Sequence, residues 1–270
     1  MNVIGPRTAP PSGAPAGLPR PACSLGCSEP LRLAVLDLDG TLLDGFLARH
    51  AAEALAAVPG RDPGPARAAL EFLARYEART ITHDECAEGF YRCYGRAVAG
   101  LAAERLAALE ASAWSTARHA LFEHAKPLVA LLHRRGLHTW LLSGSPGHAV
   151  AAAGRELGVH HASGAVVEVR DGLATGRVAG RPAARGGKSK LLDETAAAVA
   201  VDWEHSFAIG DSSSDAEVLH RVGAGIAFEP DPALAEAARA HGWTTADRHG
   251  LLAVCRALLE APAKAPDPAP

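Results

Sequence analysis

Short apolar runs that end in small or acidic residues constrain this chain more than any other feature. Residues 31–38 form such a run and lead into Asp37-Leu38-Asp39-Gly40-Thr41. Residues 137–142 form a second and stop at Ser143-Gly144. Residues 206–210 form a third and meet Asp211-Ser212-Ser213-Ser214-Asp215, and residues 225–228 form a fourth. Runs of this length between turn residues read as buried strands. Helical patterns separate them: 127–135 closed by Gly136, 146–157 closed by Gly158, 189–199, a stretch reaching Arg221, and 232–240. Strands that alternate with helices predict an α/β fold, with a doubly wound parallel sheet covered on both faces.

One stretch breaks the alternation. Residues 46–122 carry helical signals alone, broken at Pro59-Gly60, Pro63-Gly64 and Gly100. A helical insert of about 80 residues is therefore expected, larger than any ordinary connection. The predicted organisation is a core of 31–45 and 126–259, a helical domain of 46–125, and Pro-rich disordered tails at 1–30 and 260–270. Asp171-Gly172, between two alternating apolar runs, predicts a β-hairpin.

Composition removes several functions. The net charge is −3, which gives no reason to expect a nucleic-acid partner. No run of 18 strongly apolar residues is present, so no membrane span is expected, and residues 1–22 lack a signal-peptide core. Five cysteines, an odd number, fit a reducing cytoplasm. Lysine is scarce, at positions 126, 188, 190 and 264 only, so each one is conspicuous.

Ligands of open α/β sheets sit at the carboxyl ends of the strands. Three predicted strands end there in Asp37, Asp39 and Thr41, in Ser143, and in Asp211 and Asp215, with Lys188 between the last two sets. Carboxylates converging on one point repel unless a cation joins them, and hard oxygen ligands suit Mg²⁺. One carboxylate can then serve as nucleophile and another as general acid and base. A lysine and a serine hydroxyl supply donors to the oxygens of a transferring phosphoryl group.

These residues, in this order, resemble the four motifs of the haloacid dehalogenase superfamily: Asp37-Leu38-Asp39-Gly40-Thr41, Leu141-Leu142-Ser143-Gly144, Lys188, and Gly210-Asp211-Ser212-Ser213-Ser214-Asp215. The hairpin and the helical insert after the first motif are similar to the phosphoserine-phosphatase-like branch. The resemblance covers roughly residues 31–245. It implies a Rossmann-like core with an α-helical cap, and a phosphatase acting on a small phosphomonoester. It further implies that Asp37 attacks phosphorus to form an aspartyl-phosphate, and that Asp39 protonates the leaving oxygen and later activates water. Thr41, Ser143 and the Gly144 amide would bind the phosphoryl group, and Lys188 would neutralise its charge. Mg²⁺ would be held by Asp37, the carbonyl of Asp39 and Asp211, with Asp215 supporting that shell. A carboxyl group two residues after the nucleophile suits an alkoxide leaving group, and so a phosphatase more than a dehalogenase.

The sequence departs from the branch where substrate is chosen. Phosphoserine phosphatases place Glu nine residues after the nucleophile, to pair with the substrate ammonium; here the residue is Phe46. O-phosphoserine, sugar phosphates, amino-alcohol phosphates and secondary-metabolite phosphates all stay open. Phosphoryl transfer to an acceptor hydroxyl is an alternative reaction, and a non-catalytic phosphate-binding module is a third reading. Arg92 and Arg96 are candidate partners for a substrate carboxylate. Gly187-Lys188-Ser189 is not a P-loop, because Pro182 stands where that motif needs Gly. Cys23 and Cys27 lack a second pair of metal ligands, Cys86 and Cys93 share a helix face, and Arg177, Arg181 and Arg185 read as a solvated face. His160 and His161 read as surface or packing residues.

Overall fold

A computed structural model describes residues 29–260. The expected tails, and with them Cys23 and Cys27, lie outside the described residues, except for Glu29 and Pro30, which are exposed, and Glu260, which closes the last helix. The core is a seven-stranded sheet in the order β4-β3-β2-β1-β5-β6-β7. Its strands are β1 (Leu33–Leu36), β2 (His138–Pro146), β3 (His161–Arg170), β4 (Leu173–Gly180), β5 (Phe207–Gly210), β6 (Ala224–Phe228) and β7 (Thr244–Ala246). All neighbouring pairs are parallel except β3 and β4, the predicted hairpin.

The helices are α1 (Leu47–Ala56), α2 (Gly64–Glu77), α3 (His83–Val98), α4 (Ala103–Ala117), α5 (Ala125–Arg134), α6 (Gly147–Leu157), α7 (Gly187–Ala198), α8 (Ala216–Arg221), α9 (Pro232–His241) and α10 (Leu251–Glu260). Strand alternation sorts them onto two faces. Leu33 and Val35 pack with Leu192 of α7, Val218 of α8 and Leu234 of α9. Ala34 and Leu36 share the other core with Leu128 of α5, Val150 of α6 and Leu251 of α10, and this core continues into α1–α4. Both faces of β1 are buried, which is why residues 31–38 read as a continuous apolar run.

Two strands are not apparent in the sequence. The start of β3 joins the parallel sheet, Trp140 lying opposite His161, before the strand turns into the hairpin. Its residues 161–164 are His, Ala, Ser and Gly, with no apolar alternation to mark them. The second is β7, three residues containing two Thr, which owes its structure to pairing with β6. Ser143-Gly144 does not end β2 either; the strand bulges and runs on to Pro146.

The four helices α1–α4 follow β1 as one insert. Thr82 opens α3 with a capping box, its hydroxyl and the Glu85 carboxylate satisfying each other's backbone amides. The hairpin tip is tied to this insert, because the loop between α3 and α4 bonds β4 through Gly100 N to Ala174 O and Ala174 N to Leu101 O, both 2.8 Å. Among the described residues no helix is long and apolar enough to cross a membrane.

Candidate active site

The chain winds from β1 to β2 and β3 on one side, then crosses to β5, β6 and β7 on the other. The switch point lies between β1 and β5, where a crevice opens beyond the strand ends. Asp37 and Asp211 directly follow these two strands, and the Asp37 amide donates to Ile209 O of β5 at 3.0 Å. Asp37 continues the phase of Leu33 and Val35, toward the face covered by α7. Lys188 lies in the first turn of α7 and is buried. Its Nζ donates to Asp37 Oδ1 at 2.6 Å and to Asp215 Oδ1 at 2.5 Å. Asp215 is packed so tightly against β5 that a Cβ on Gly210 would lie 2.1 Å from its Cγ.

Asp37, Asp211 and Asp215 each offer a carboxylate oxygen within 4.8 Å of the others, a set able to hold a metal ion. Burial pushes the Asp37 carboxyl up to about 7, against the opposing pull of Lys188 and with further upward pressure from Asp215 and Asp39. Burial, then Asp37 and Asp215, also pushes Asp211 well above the usual carboxylate range. Burial disfavours the charge of Lys188, but Asp215 and Asp37 outweigh it and hold the ammonium protonated. Carboxylates held out of water and under mutual repulsion gain from a cation, an arrangement that suits a metal centre.

Asp39 points elsewhere. Its Oδ2 accepts from Ser143 Oγ at 2.8 Å and from Ser145 Oγ at 2.7 Å, and its Oδ1 accepts the Leu47 amide at 2.5 Å. Burial raises its pKa, and those three donors oppose the rise. Gly40 makes the turn between Asp39 and Thr41 at φ 80°, and a Cβ there would sit 2.2 Å from Asp211 Oδ2. Only glycine accommodates both demands. Thr41 is fully buried, with its hydroxyl on Asp211 Oδ1 at 3.4 Å.

The cavity above these residues has about 590 Å³ of free space, its mouth included. Asp37, Asp39, Gly144, Ser145, Lys188 and Asp211 line its core side, and residues of α1, α2 and α3 line the other. Thr41, Ser143 and Asp215 support lining residues from behind. Arg92 and Arg96 are exposed and outside the cavity lining. Arg177, Arg181 and Arg185 each meet an acidic partner, in Glu168, Glu88 and Asp84 respectively. Cys86 and Cys93 are buried in α3, and Cys86 lines the cavity.

Four site residues escape a reading of the sequence. Ser145 shares the strand phase of Ser143, a spacing of two that could have revealed it. Asp231 caps α9 through the Leu234 amide at 2.7 Å and also takes the Ser213 amide and the Tyr76 hydroxyl. Tyr91 donates to Gly144 O and accepts the Ala183 amide, each at 3.0 Å. No local pattern marks Tyr76 or Tyr91, since their partners belong to distant segments.

The haloacid dehalogenase-like hydrolase family model matches residues 34–220. A phosphoserine phosphatase of Streptomyces coelicolor is 37% identical over 114 residues, which cover 42% of this chain and 28% of that protein. Phosphoserine phosphatase SerB2 of Mycobacterium tuberculosis is 32% identical over 209 residues, covering 77% of this chain and 47% of that one. The chain thus spans less than half the length of these two relatives. A solved structure of a protein of unknown function from Bordetella pertussis Tohama I matches with a TM-score of 0.66 and 29% identity, over 82% of this chain and all of that one. The fold, the order of motifs along it and the match over more than half the chain agree: the chain belongs to the haloacid dehalogenase-like hydrolase family.

Proposed function

We propose that the chain is a Mg²⁺-dependent phosphatase that hydrolyses a small-molecule phosphomonoester through an aspartyl-phosphate on Asp37. One observation carries this reading: three carboxylates from two strand ends meet within 4.8 Å around the Lys188 ammonium at the sheet's switch point. Asp37, Asp211 and Asp215 would hold the metal, with the Asp39 carbonyl as the further ligand the family resemblance implies. When bound, Mg²⁺ offsets charge on the phosphoryl oxygens and on the carboxylates around them.

The chemistry of the chain's own groups follows. Asp37, with Oδ1 held by Lys188, attacks phosphorus through its second oxygen. The bond from phosphorus to the alcohol oxygen breaks, and Asp39 delivers its proton to that oxygen. Burial raises the pKa of Asp39, the direction that favours the protonated form this step needs. Water then attacks the aspartyl-phosphate, Asp39 takes the proton, and phosphate leaves with Asp37 restored. Gly144 lies on the cavity wall, where its amide would meet a phosphoryl oxygen, and Ser143 positions Asp39. Residues 46–125 act as a cap that limits the site to small substrates and excludes bulk water.

The names of the relatives make O-phosphoserine the first specific substrate to assay. The direct test of the class is phosphate release from p-nitrophenyl phosphate with Mg²⁺. Activity should vanish on strong chelation and return with Mg²⁺, and Asp37→Asn should abolish it with the circular dichroism spectrum unchanged. Retained turnover in either arm overturns the mechanism.

A further inference from the structure

Resting on that reading, we propose that the leaving group is an uncharged, apolar, ring-sized alcohol. The chain would then act on phosphomonoesters of aromatic or alicyclic alcohols in preference to amino-acid phosphates. The cavity has two chemistries. Its charged lining, among the described residues, is Asp37, Asp39, Lys188 and Asp211, all on the core side where the phosphoryl group reacts. The opposite wall is Phe46, Leu73, Tyr76, Ala87, Phe90 and Tyr91, with no charge among them.

Aromatic residues are scarce in this chain, with 4 Trp, 3 Tyr and 6 Phe, yet four of them converge on this wall. They meet each other edge-on or tilted, with Phe46 and Tyr76 at 6.1 Å between centroids and Phe90 and Tyr91 at 6.0 Å. Both tyrosine hydroxyls are engaged elsewhere, Tyr76 on Asp231 and Tyr91 on Gly144 O. The one further ionisable ring, His83, packs edge-on to Tyr76 at 5.6 Å, and its Nδ1 has no hydrogen-bond partner. Burial, reinforced by Lys188, lowers its pKa and so disfavours its charged form.

The charges of the surrounding helix are spent outside the cavity. Asp84 and Glu88 pair with Arg185 and Arg181, and Arg92 lies exposed over the Phe72 ring. A leaving group with an ammonium and a carboxylate would lose its hydration here and find no counter-charge. A ring would gain aromatic contact and be removed from water.

The test compares kcat/KM of the full chain, with Mg²⁺, for benzyl phosphate and O-phospho-L-serine. Both release a primary alcohol, so the comparison reads recognition more than chemical reactivity. Acetyl phosphate, whose leaving group makes little use of the wall, reports the phosphoryl chemistry alone. Benzyl phosphate should exceed O-phosphoserine by about tenfold or more, and Phe46→Glu should narrow that ratio at least about tenfold by placing a carboxylate on the wall. If acetyl phosphate is hydrolysed but O-phosphoserine equals or exceeds benzyl phosphate, the leaving-group assignment is wrong and the phosphatase reading stands. A Phe46→Glu ratio that does not move also overturns the assignment. If the folded protein leaves acetyl phosphate intact, the phosphatase reading fails and this inference fails with it.

Discussion

Asp37 and Asp39 are two residues apart and chemically alike, but they meet opposite surroundings. Asp37 faces an ammonium and two other carboxylates; Asp39 faces two hydroxyls and an amide. Asp39→Asn should therefore lower kcat/KM, which reads the steps up to aspartyl-phosphate formation, about 10²–10⁴-fold for an alkyl phosphate, where the departing oxygen needs a proton. The loss should be much smaller for p-nitrophenyl phosphate, whose phenolate leaves unaided; an equal loss for both would remove Asp39 as the acid. Lys188 compensates two buried carboxylates at once. Lys188→Met should cost about 3–5 kcal/mol of stability at neutral pH, read by urea unfolding. Removing the ammonium takes away the pull that opposes burial at Asp37, so the folded variant holds a proton there more tightly than the wild type does. The deficit should shrink as pH falls toward 4, and a deficit that grows would contradict the pairing.

At the scale of elements, β2 carries the site at one end and a histidine cluster at the other. His138 stacks on His160 at 4.3 Å between centroids, and His160 meets His133 at 4.5 Å. Thr139 bonds both His133 and His160 through its hydroxyl, at 2.9 Å. Burial, with His160 the next contributor, lowers His138 to about 4. A base with a depressed folded pKa is protonated more readily unfolded. Its contribution is complete above about 6.5, falls as pH drops from there to about 4, and is then constant. His138→Gln should flatten the decline of Tm between pH 6.5 and 4 relative to wild type; parallel Tm profiles would show that His138 contributes nothing there. The mixed strand β3 belongs to this scale too. Its first residues are held by β2 and its last by β4, so its length reflects its neighbours more than its own propensity.

For the whole molecule, the key relation is how the helical insert sits on the core. Tyr91 of α3 joins Gly144 on the β2 bulge to Ala183 in the loop before Lys188, and Tyr76 of α2 reaches Asp231 at the start of α9. The surface ion pairs Arg181–Glu88 and Arg185–Asp84 span the same boundary, but such exposed pairs contribute little. Tyr91→Phe leaves a half-buried amide and carbonyl without their partner. It should cost about 1–2 kcal/mol and raise KM more than it lowers kcat, because the β2 bulge at Gly144 and the loop to Lys188 lose their common anchor. A change confined to kcat would place Tyr91 in the chemistry instead.

The sequence by itself determined the α/β class, the insert after β1, the hairpin and the residues Asp37, Asp39, Lys188 and Asp211 as the ones to watch. These are legible because strand periodicity, turn residues and strand-end carboxylates are local signals, and because a chain with four lysines offers few alternatives to Lys188. Only the tertiary structure decided what those residues meet. Asp37 and Asp211 are 174 positions apart and come together because β1 pairs with β5, a register no local window contains. The same is true of Ser145 on Asp39, of Asp231 under Tyr76, and of the aromatic wall facing the carboxylates. Each is a contact between distant segments, made by sheet order and by the seating of the insert. The chemistry of the floor could thus be read along the chain. The chemistry of the wall, to which the proposed substrate preference is assigned, exists only in the folded molecule.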